Sequence, residues 1–419
     1  MSTVQLPPFS ERMKNIPESF IREILKVSSQ PETISFAGGL PNPSFFPAEK
    51  IAVAAETVLR KNGASALQYW VTEGYMPLRS YIADWHSRNT GTNVHVEDVL
   101  ILNGSQQGLD LAGRLFLNSG SPALLEGPSY LGAIQAFSAY QPEFHHIKIY
   151  EGGPDPSHFA SIMDRLKPIL FYCVPDFQNP TGNKYDTAHR EELARTGNSS
   201  ETIWIEDNPY KEISFEGKRE QDFYSLIPGK TIYLGSFSKI VSPGMRLGWA
   251  LGPREVIKKM AVAKQAADLH SNSLAQRIVY QFLLDNALED HLNAIRTFYK
   301  SQADHMITEI RRYFPDAVKW ITPKGGMFIW VTLPSKIRSK LLLEKAIAQN
   351  VLFVPGENFF VTGNEGDNCL RMNFSNPSKE EISKGIKILG DLISGMMGIH
   401  PVDTSHNPRP ERMASSTGE

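Results

Sequence analysis

The chain has 419 residues, of which 41% are apolar and 21% charged, and its formal net charge is −2. This composition is typical of a globular protein, and the length favours two associated domains over one simple core. Because 43 basic side chains are balanced by 45 acidic ones, the overall charge gives no reason to expect binding to nucleic acid or to an anionic membrane. Any anion that the protein binds must therefore be held by a local site.

Cysteine usage and the apolar runs of the sequence indicate where the protein works. The two cysteines, Cys173 and Cys369, lie far apart and have neither a disulfide framework nor a zinc-binding spacing around them. We therefore expect a reducing compartment and no metal site. No apolar run approaches the roughly 20 residues that cross a membrane, and the first residues lack a signal-peptide or transit pattern. The protein is predicted to be cytoplasmic, without a membrane segment.

The first predicted elements are a helix, a loop and a second helix. The start is irregular and Pro-rich up to Ile16, and Pro17 then opens a predicted helix with apolar residues on one face. Residues 35–47, SFAGGLPNPSFFP, are dense in Gly and Pro and predict a loop. A helix is expected from about Pro47 to Lys61.

From about residue 99, short apolar strands alternate with helices such as those predicted at 157–166 and 185–195. Seven strands are expected, at 99–102, 122–127, 144–149, 168–174, 202–207, 231–237 and 248–252. Near-continuous hydrophobic strands separated by helices predict an α/β fold, in which helices cover both faces of a mostly parallel sheet.

A second, smaller α+β domain is predicted near the end of the chain. After about residue 253 the pattern is that of long helices. Further strands follow at 318–323, 327–333, 351–356 and 369–375, with helices near 336–349 and 378–396. The expected division is an N-terminal arm and helix joined to the small domain (1–46), a large domain (47–310), the small domain (311–398), and a polar tail (399–419) that we expect to be disordered.

Several polar motifs stand where predicted strands end, which is the edge at which open α/β sheets bind ligands. The glycine turn Asn103–Gly108 leads into a helix and either offers N–H groups to a phosphate or is an ordinary helix cap. Asn179 begins an NPTG turn after the fourth strand. Asp207 ends the fifth strand, where an acid needs either a cationic partner or an Asx-turn role.

The sixth strand ends in Ser236-Phe237-Ser238-Lys239, and Arg246 follows seven residues later. Lys239 taken alone could extend its charge into water. An acid, a lysine, hydroxyls and an arginine nevertheless meet at one sheet edge, together with a glycine turn at a helix start. One cofactor would explain all of them and their order along the chain.

These motifs resemble the class I aminotransferases of fold type I, which use pyridoxal 5′-phosphate (PLP), and the resemblance extends from about residue 17 to 396. It is most similar to the 2-aminoadipate/kynurenine aminotransferase branch. The matching segments are SFAGGLP (35–41), LQYWVTEGYMPLR (67–79), GSQQGLDL (104–111), EGPSY (126–130), FQNPTG (177–182), YLGSFSK (233–239), PKGGMFIW (323–330) and VPGENFF (354–360). DNPY at 207–210 departs from the DDAY-like sequence of that branch, but Asp207 and Tyr210 are retained.

The resemblance implies a role for each residue around the cofactor ring. Lys239 is expected to form the Schiff base and to shuttle a proton at the substrate Cα. Asp207 is expected to keep the pyridine nitrogen protonated. Tyr210 and Asn179 would hydrogen-bond the phenolic O3′, and Tyr130 would stack on the ring.

The resemblance also implies the groups at the two ends of the site. The phosphate would be bound by Ser105, Gln106, Ser236, Ser238 and Arg246, with Tyr69 reaching it from the neighbouring subunit of a homodimer. Arg371 would bind the substrate α-carboxylate, and Gly39 would add a backbone contact. Arg22 matches an arginine that meets a distal carboxylate, although an i, i+4 helix pair with Glu18 explains it equally well.

The implied reaction is a ping-pong transfer between an amino acid and 2-oxoglutarate. The variable substrate could be 2-aminoadipate, an aromatic amino acid such as kynurenine, or an aliphatic one. A PLP-dependent lyase or decarboxylase on the same scaffold is the alternative enzyme. An aminotransferase-like regulator is disfavoured, because we find no basic DNA-binding domain before SFAGGLP.

Overall fold

The computed structural model describes residues 7–14, 16, 32–217, 219–361 and 365–399. The helix predicted after Pro17 and the polar tail predicted from residue 399 lie outside these ranges, apart from residue 399 itself. The first described elements are helix α1 (Glu11–Lys14), strand β1 (Ile34–Ser35) and helix α2 (Ala48–Ala66). Helix α2 runs five residues past the predicted end, with a break in helical geometry at Asn62.

Eight strands form the large sheet, in the order β2-β9-β8-β7-β6-β3-β4-β5. The five consecutive strands β8, β7, β6, β3 and β4 pair in parallel, whereas β9 is antiparallel to both of its neighbours, as β5 is to β4. The strands are β2 (Val99–Leu102), β3 (Pro122–Gly127), β4 (Glu143–Tyr150), β5 (Gly153–Pro154), β6 (Leu170–Cys173), β7 (Ile203–Asp207), β8 (Thr231–Ser236) and β9 (Gly248–Leu251). All seven predicted strands are present, and β5 is an additional two-residue edge strand that carries no apolar pattern.

Alternation of side chains between two cores explains why the strands read as continuous apolar runs. In β2, Leu100 and Leu102 belong to one buried cluster, whereas Val99 and Ile101 belong to another on the opposite face. The helices that cover the faces are α3 (Met76–Thr90), α4 (Ser105–Phe116), α5 (Leu131–Ser138), α6 (Pro156–Leu166), α7 (Thr187–Asn198), α8 (Phe223–Leu226), α9 (Arg254–Asp268), α10 (Ser273–Asp285) and α11 (Leu288–Tyr313). Both faces of the sheet are therefore buried, as a parallel sheet requires.

A smaller, antiparallel sheet follows, in the order β10-β11-β14-β13. Its strands are β10 (Lys319–Trp320), β11 (Phe328–Thr332), β13 (Val354–Pro355) and β14 (Cys369–Asn373). This part of the chain also contains β12 (Val351–Leu352) and the helices α12 (Ser339–Ile347) and α13 (Lys379–Met396). The single strand predicted at 351–356 is divided in two. Its first half, β12, pairs in parallel with β1, and its second half, β13, pairs with β14. The split occurs at Phe353, which is fully buried.

The pairing of β1 with β12 bears on how the chain divides. Because β1 follows the N-terminal arm and pairs beside the smaller sheet, it supports our proposal that residues 1–46 join the small domain at 311–398. The remainder, 47–310, contains the large sheet. In the ranges given above, the structure contains no helix that is both long and apolar enough to cross a membrane.

Candidate active site

A cavity of about 290 Å³ lies at the carboxyl ends of the parallel strands. Asp207 ends β7, Ser236 ends β8, and Asn179 lies in the loop after β6. Parallel neighbours place their carboxyl ends at one edge of a sheet, so side chains that are distant in sequence line the same cavity.

Asp207 is the acid of this cavity and is only 2% exposed. Its Oδ2 accepts a hydrogen bond from the Tyr172 hydroxyl at 3.1 Å, whereas its buried Oδ1 accepts none from the described residues. Burial raises the pKa of Asp207 from 3.8 to about 7. A buried carboxylate oxygen without a donor is costly, so this position favours a ligand that brings a cationic N–H group.

Lys239 lies in the turn after β8, and its Nζ donates to the Gly39 carbonyl oxygen at 2.8 Å. Burial, together with the positive charges of Arg371 and Arg246, lowers its pKa to about 8. A lysine that loses its proton near neutral pH can act both as a nucleophile and as a base.

Another group of residues that lines the cavity is suited to an anion. Gly104, with φ +82°, precedes helix α4, whose first N–H groups have no partner within the helix. The Arg246 guanidinium donates to the Asn103 carbonyl oxygen at 3.3 Å, and a Cβ on Gly104 would lie 3.1 Å from its Nη2. Helix N–H groups and a guanidinium thus meet where a phosphate could bind.

Asn179 links two further residues of the cavity. Its Oδ1 accepts a hydrogen bond from Arg371 Nη1 at 2.8 Å, and its Nδ2 lies 3.5 Å from the Tyr210 hydroxyl. Burial raises the pKa of Tyr210 above its usual range and that of Tyr130 to about 12, so both hydroxyls stay protonated at neutral pH.

Arg371 on β14 is 1% exposed, and its guanidinium carbon lies 4.5 Å from the centre of the Phe328 ring and 5.2 Å from that of Phe359. Its Nη2 donates to the Ala37 carbonyl oxygen, whereas its buried Nε donates to none of the described residues. Burial lowers its pKa to about 10, which leaves it charged at neutral pH. A buried, charged guanidinium with a free donor is suited to bind a carboxylate.

The structure brings together twelve of the fourteen residues that the sequence singled out. They are Gly39, Ser105, Gln106, Tyr130, Asn179, Asp207, Tyr210, Ser236, Ser238, Lys239, Arg246 and Arg371. Tyr69 does not line the cavity and is 76% exposed, with its ring 5.8 Å from that of His270. Arg22 lies outside the described residues.

Tyr172 is the residue that the sequence analysis missed. It lies in the middle of an apolar strand, where an aromatic residue is expected to pack in the core, and its ring does pack against Phe137. Its hydroxyl, however, donates to Asp207. The available signal was the hydroxyl itself, because a buried tyrosine usually finds a hydrogen-bond partner.

The residues fit PLP at each end. The unpaired Oδ1 of Asp207 suits a protonated ring nitrogen, and Lys239 suits covalent attachment of an aldehyde. The glycine turn and Arg246 suit the phosphate.

Comparison with known proteins identifies the class. The model of the family described as "Aminotransferase class I and II" matches residues 40–389, and the chain belongs to this family.

Two curated aminotransferases and a solved aminotransferase structure are similar to this chain over most of its length. The 2-aminoadipate transaminase of Thermus thermophilus is 41% identical over 396 residues, which cover 93% of this chain and 98% of that protein. The aromatic-amino-acid aminotransferase 1 of Thermococcus litoralis is 39% identical over 395 residues, covering 93% and 94%. The solved α-aminoadipate aminotransferase of T. thermophilus, complexed with N-(5′-phosphopyridoxyl)-L-leucine, matches with a TM-score of 0.87 at 40% identity, covering 93% and 98%.

These findings confirm the predicted class, fold and cofactor. The protein is an enzyme, a PLP-dependent aminotransferase of fold type I, and its substrates are amino acids and 2-oxo acids.

Proposed function

We propose that the enzyme transfers the amino group of an amino acid to 2-oxoglutarate in two half-reactions. The observation that carries this proposal is the shared cavity of Lys239, Asp207 and Arg371. It offers a base, a partner for the ring nitrogen and a cation for the substrate α-carboxylate. The free Nε of Arg371 supports the last of these roles.

PLP supplies an electron-withdrawing ring that makes the substrate Cα–H acidic. Lys239 would remove the proton from the substrate Cα and carry it on Nζ until it is given back in the same half-reaction, for which its lowered pKa suits it. Asp207 would accept a hydrogen bond from the ring N–H and stabilise its positive charge. Asn179 and Tyr210 would donate to the phenolic oxygen, and Tyr130 would pack on the ring.

The remaining contacts orient the two ends of the bound molecules. The phosphate would be bound by five residues that line the cavity: Ser105, Gln106, Ser236, Ser238 and Arg246. Arg371 binds the α-carboxylate as a two-pronged donor, and the Gly39 backbone lies beside it. Binding at both ends fixes the substrate Cα near Lys239, which favours reaction by orientation alone.

The choice of amino acid is the finer part of the proposal. We propose 2-aminoadipate and aromatic amino acids such as kynurenine as donors, with aliphatic amino acids as further candidates. The names of the two curated relatives support the first two classes. Arg22 is proposed to meet the distal carboxylate of an acidic substrate, and its pairing with Glu18 remains the alternative.

We also propose a homodimer that works in the cytoplasm. Tyr69 is 76% exposed, and exposed apolar residues stand close to it in the sequence (Leu67 and Val71) and directly before its ring contact His270 (Leu269). An exposed apolar group of this kind is typical of an interface, and it supports the contribution of Tyr69 to a neighbouring site. Cys173 and Cys369 are unpaired, which suits a reducing compartment.

A hybrid-dimer experiment tests the shared site. Lys239→Ala and Tyr69→Ala proteins, each of low activity alone, are unfolded together, refolded and assayed. Hybrid dimers contain one site with both native residues, so activity should recover to a fraction of the wild-type value. If the mixture is no more active than its components, Tyr69 does not act across an interface.

A substrate panel tests the proposed function. The holoenzyme is incubated with 2-oxoglutarate and, separately, 2-aminoadipate, kynurenine, phenylalanine or leucine, and glutamate is measured. We expect glutamate with at least one of these donors and none with Lys239→Ala. Consumption of a donor with release of CO₂ and without glutamate would favour the decarboxylase alternative.

A further inference from the structure

An ion pair between a buried lysine and a partly exposed aspartate lies behind the glycine turn, in the last turn of helix α9. Lys264 is fully buried, and its Nζ donates to Asp268 at 2.8 Å from Oδ1 and 2.7 Å from Oδ2. Burial lowers the pKa of Lys264, which its bonds to Asp268 counteract. Neither residue lines the cavity, so neither is available to touch a ligand bound there.

Both residues of this pair are bonded to the turn. Asp268 Oδ2 accepts hydrogen bonds from the Asn103 side-chain amide and, at 2.7 Å, from Gln107 Nε2. Gln107 Oε1 in turn accepts from the Asn103 backbone N–H at 2.9 Å and from Lys264 Nζ at 3.0 Å. The carbonyl oxygen of Asn103 accepts from Arg246. The backbone N–H, the carbonyl oxygen and the side-chain amide nitrogen of Asn103 are therefore all engaged, immediately before Gly104 and Ser105.

The energetics favour a role in placement over one in stability. An ion pair with one buried partner, such as Lys264, is often no more stabilising than well-packed apolar residues of the same volume. A carboxylate that accepts from both Asn103 and Gln107, however, fixes the direction in which the turn presents its N–H groups. Apolar side chains at 264 and 268 could fill the space but could not fix that direction.

The backbone that directly follows Asp268 forms a tight turn. Leu269 has φ +66° and ψ −60°, and the His270 N–H donates to the Asp268 carbonyl oxygen at 2.7 Å. This is a γ-turn with positive φ, which is rare and strained for a residue other than glycine. His270 Nε2 then accepts from the Trp70 N–H at 3.2 Å. Hydrogen bonds thus hold the end of α9 through the Asp268 side chain and also through the backbone and His270 side chain that follow it.

We propose that Asp268 and Lys264 are positioning residues for the cofactor phosphate. Acting through Asn103 and Gln107, they hold the turn in the geometry that directs the first N–H groups of α4 and the Arg246 guanidinium at one point. This inference rests on the placement of the phosphate at Ser105 and Arg246 proposed above. It predicts that the pair affects recognition of the phosphate and leaves recognition of the ring unchanged.

The test compares two ligands that differ only in the phosphate. The dissociation constants of PLP and of pyridoxal are measured by fluorescence titration of the cofactor-free protein. Asp268→Asn keeps the side-chain volume and removes the charge. It should weaken PLP about tenfold, equivalent to about 1.4 kcal/mol, while the affinity for pyridoxal changes less than about twofold.

A matched control comes from the same kind of pair on the surface. Lys300 and Asp304 are also four residues apart in a helix, with Nζ and Oδ2 2.6 Å apart, but both are exposed. Asp304→Asn should change neither affinity. Gln107→Leu breaks the same link from α4 and leaves α9 intact, so it provides a second reading should Asp268→Asn fold poorly.

Three outcomes are distinguishable when Arg246→Ala is included. Selective loss of PLP affinity in Asp268→Asn, Gln107→Leu and Arg246→Ala supports the inference. If only Arg246→Ala shows the selective loss, or if Asp268→Asn weakens both ligands equally, the positioning role is wrong and the phosphate site stands. If Arg246→Ala also treats the two ligands alike, the phosphate placement in the proposed function is itself wrong.

Discussion

Replacing Asp207 by asparagine is expected to stabilise the cofactor-free protein while abolishing amino transfer. Asp207 is 2% exposed, and burial raises its pKa from 3.8 to about 7. When the pKa of an acid is higher in the folded than in the unfolded state, the folded protein loses stability as the pH rises from the unfolded-state pKa to the folded-state pKa. At about 1.4 kcal/mol per pH unit between the two pKa values, the carboxylate costs about 4 kcal/mol at pH 8 and about 2 kcal/mol at pH 5.

The assay is urea unfolding of the cofactor-free wild type and Asp207→Asn at both pH values. Asparagine carries no charge and can still accept from Tyr172, so the variant should be the more stable, and its advantage should shrink by about 2 kcal/mol between pH 8 and pH 5. Asp304→Asn, at an exposed position, serves as the control and should show no such trend. A variant less stable than wild type at pH 8, or an advantage independent of pH, would refute the reasoning.

Three further predictions concern individual side chains. Burial, Arg371 and Arg246 lower the Lys239 pKa to about 8. The rate at which PLP bonds to the cofactor-free protein should therefore rise up to about pH 8 and then level off, as followed by stopped-flow absorbance. A rise that continues to pH 10 would contradict this. Tyr172→Phe should slow the half-reaction about tenfold with little change in KM, since it removes a hydrogen bond to a charged group; an unchanged rate counts against that bond. Arg22→Ala should raise KM for 2-aminoadipate about tenfold and leave that for leucine unchanged, whereas equal effects would favour the Glu18 pair.

The strand ends were the part of the site that the sequence could predict. Asp207, Ser236 and Asn179 each follow an apolar run, and parallel pairing brings such ends to one edge whatever the loops do. Local pattern therefore implied a tertiary arrangement. Gly39 and Arg371 could not be placed in this way, because they come from outside the large sheet, and the family resemblance supplied them.

Features that depend on contacts between distant segments were not predictable from pattern. Tyr172 reads as a core residue until the position of its hydroxyl is known. Lys264 and Asp268 read as an ordinary i, i+4 surface pair, yet Lys264 is fully buried against Gln107. The division of the strand at 351–356 follows from the pairing of β12 with β1, more than 300 residues earlier in the chain.

A single half-reaction gives the most decisive measurement of amino transfer at this site. The holoenzyme, at a known concentration of sites, is mixed with excess glutamate and no oxo-acid acceptor, and the 2-oxoglutarate formed is quantified. We expect one equivalent of 2-oxoglutarate per site and then no more until an oxo acid is added. Continuous formation of product without an acceptor, or none at all from glutamate, would contradict amino transfer through a site built on Lys239 and Asp207.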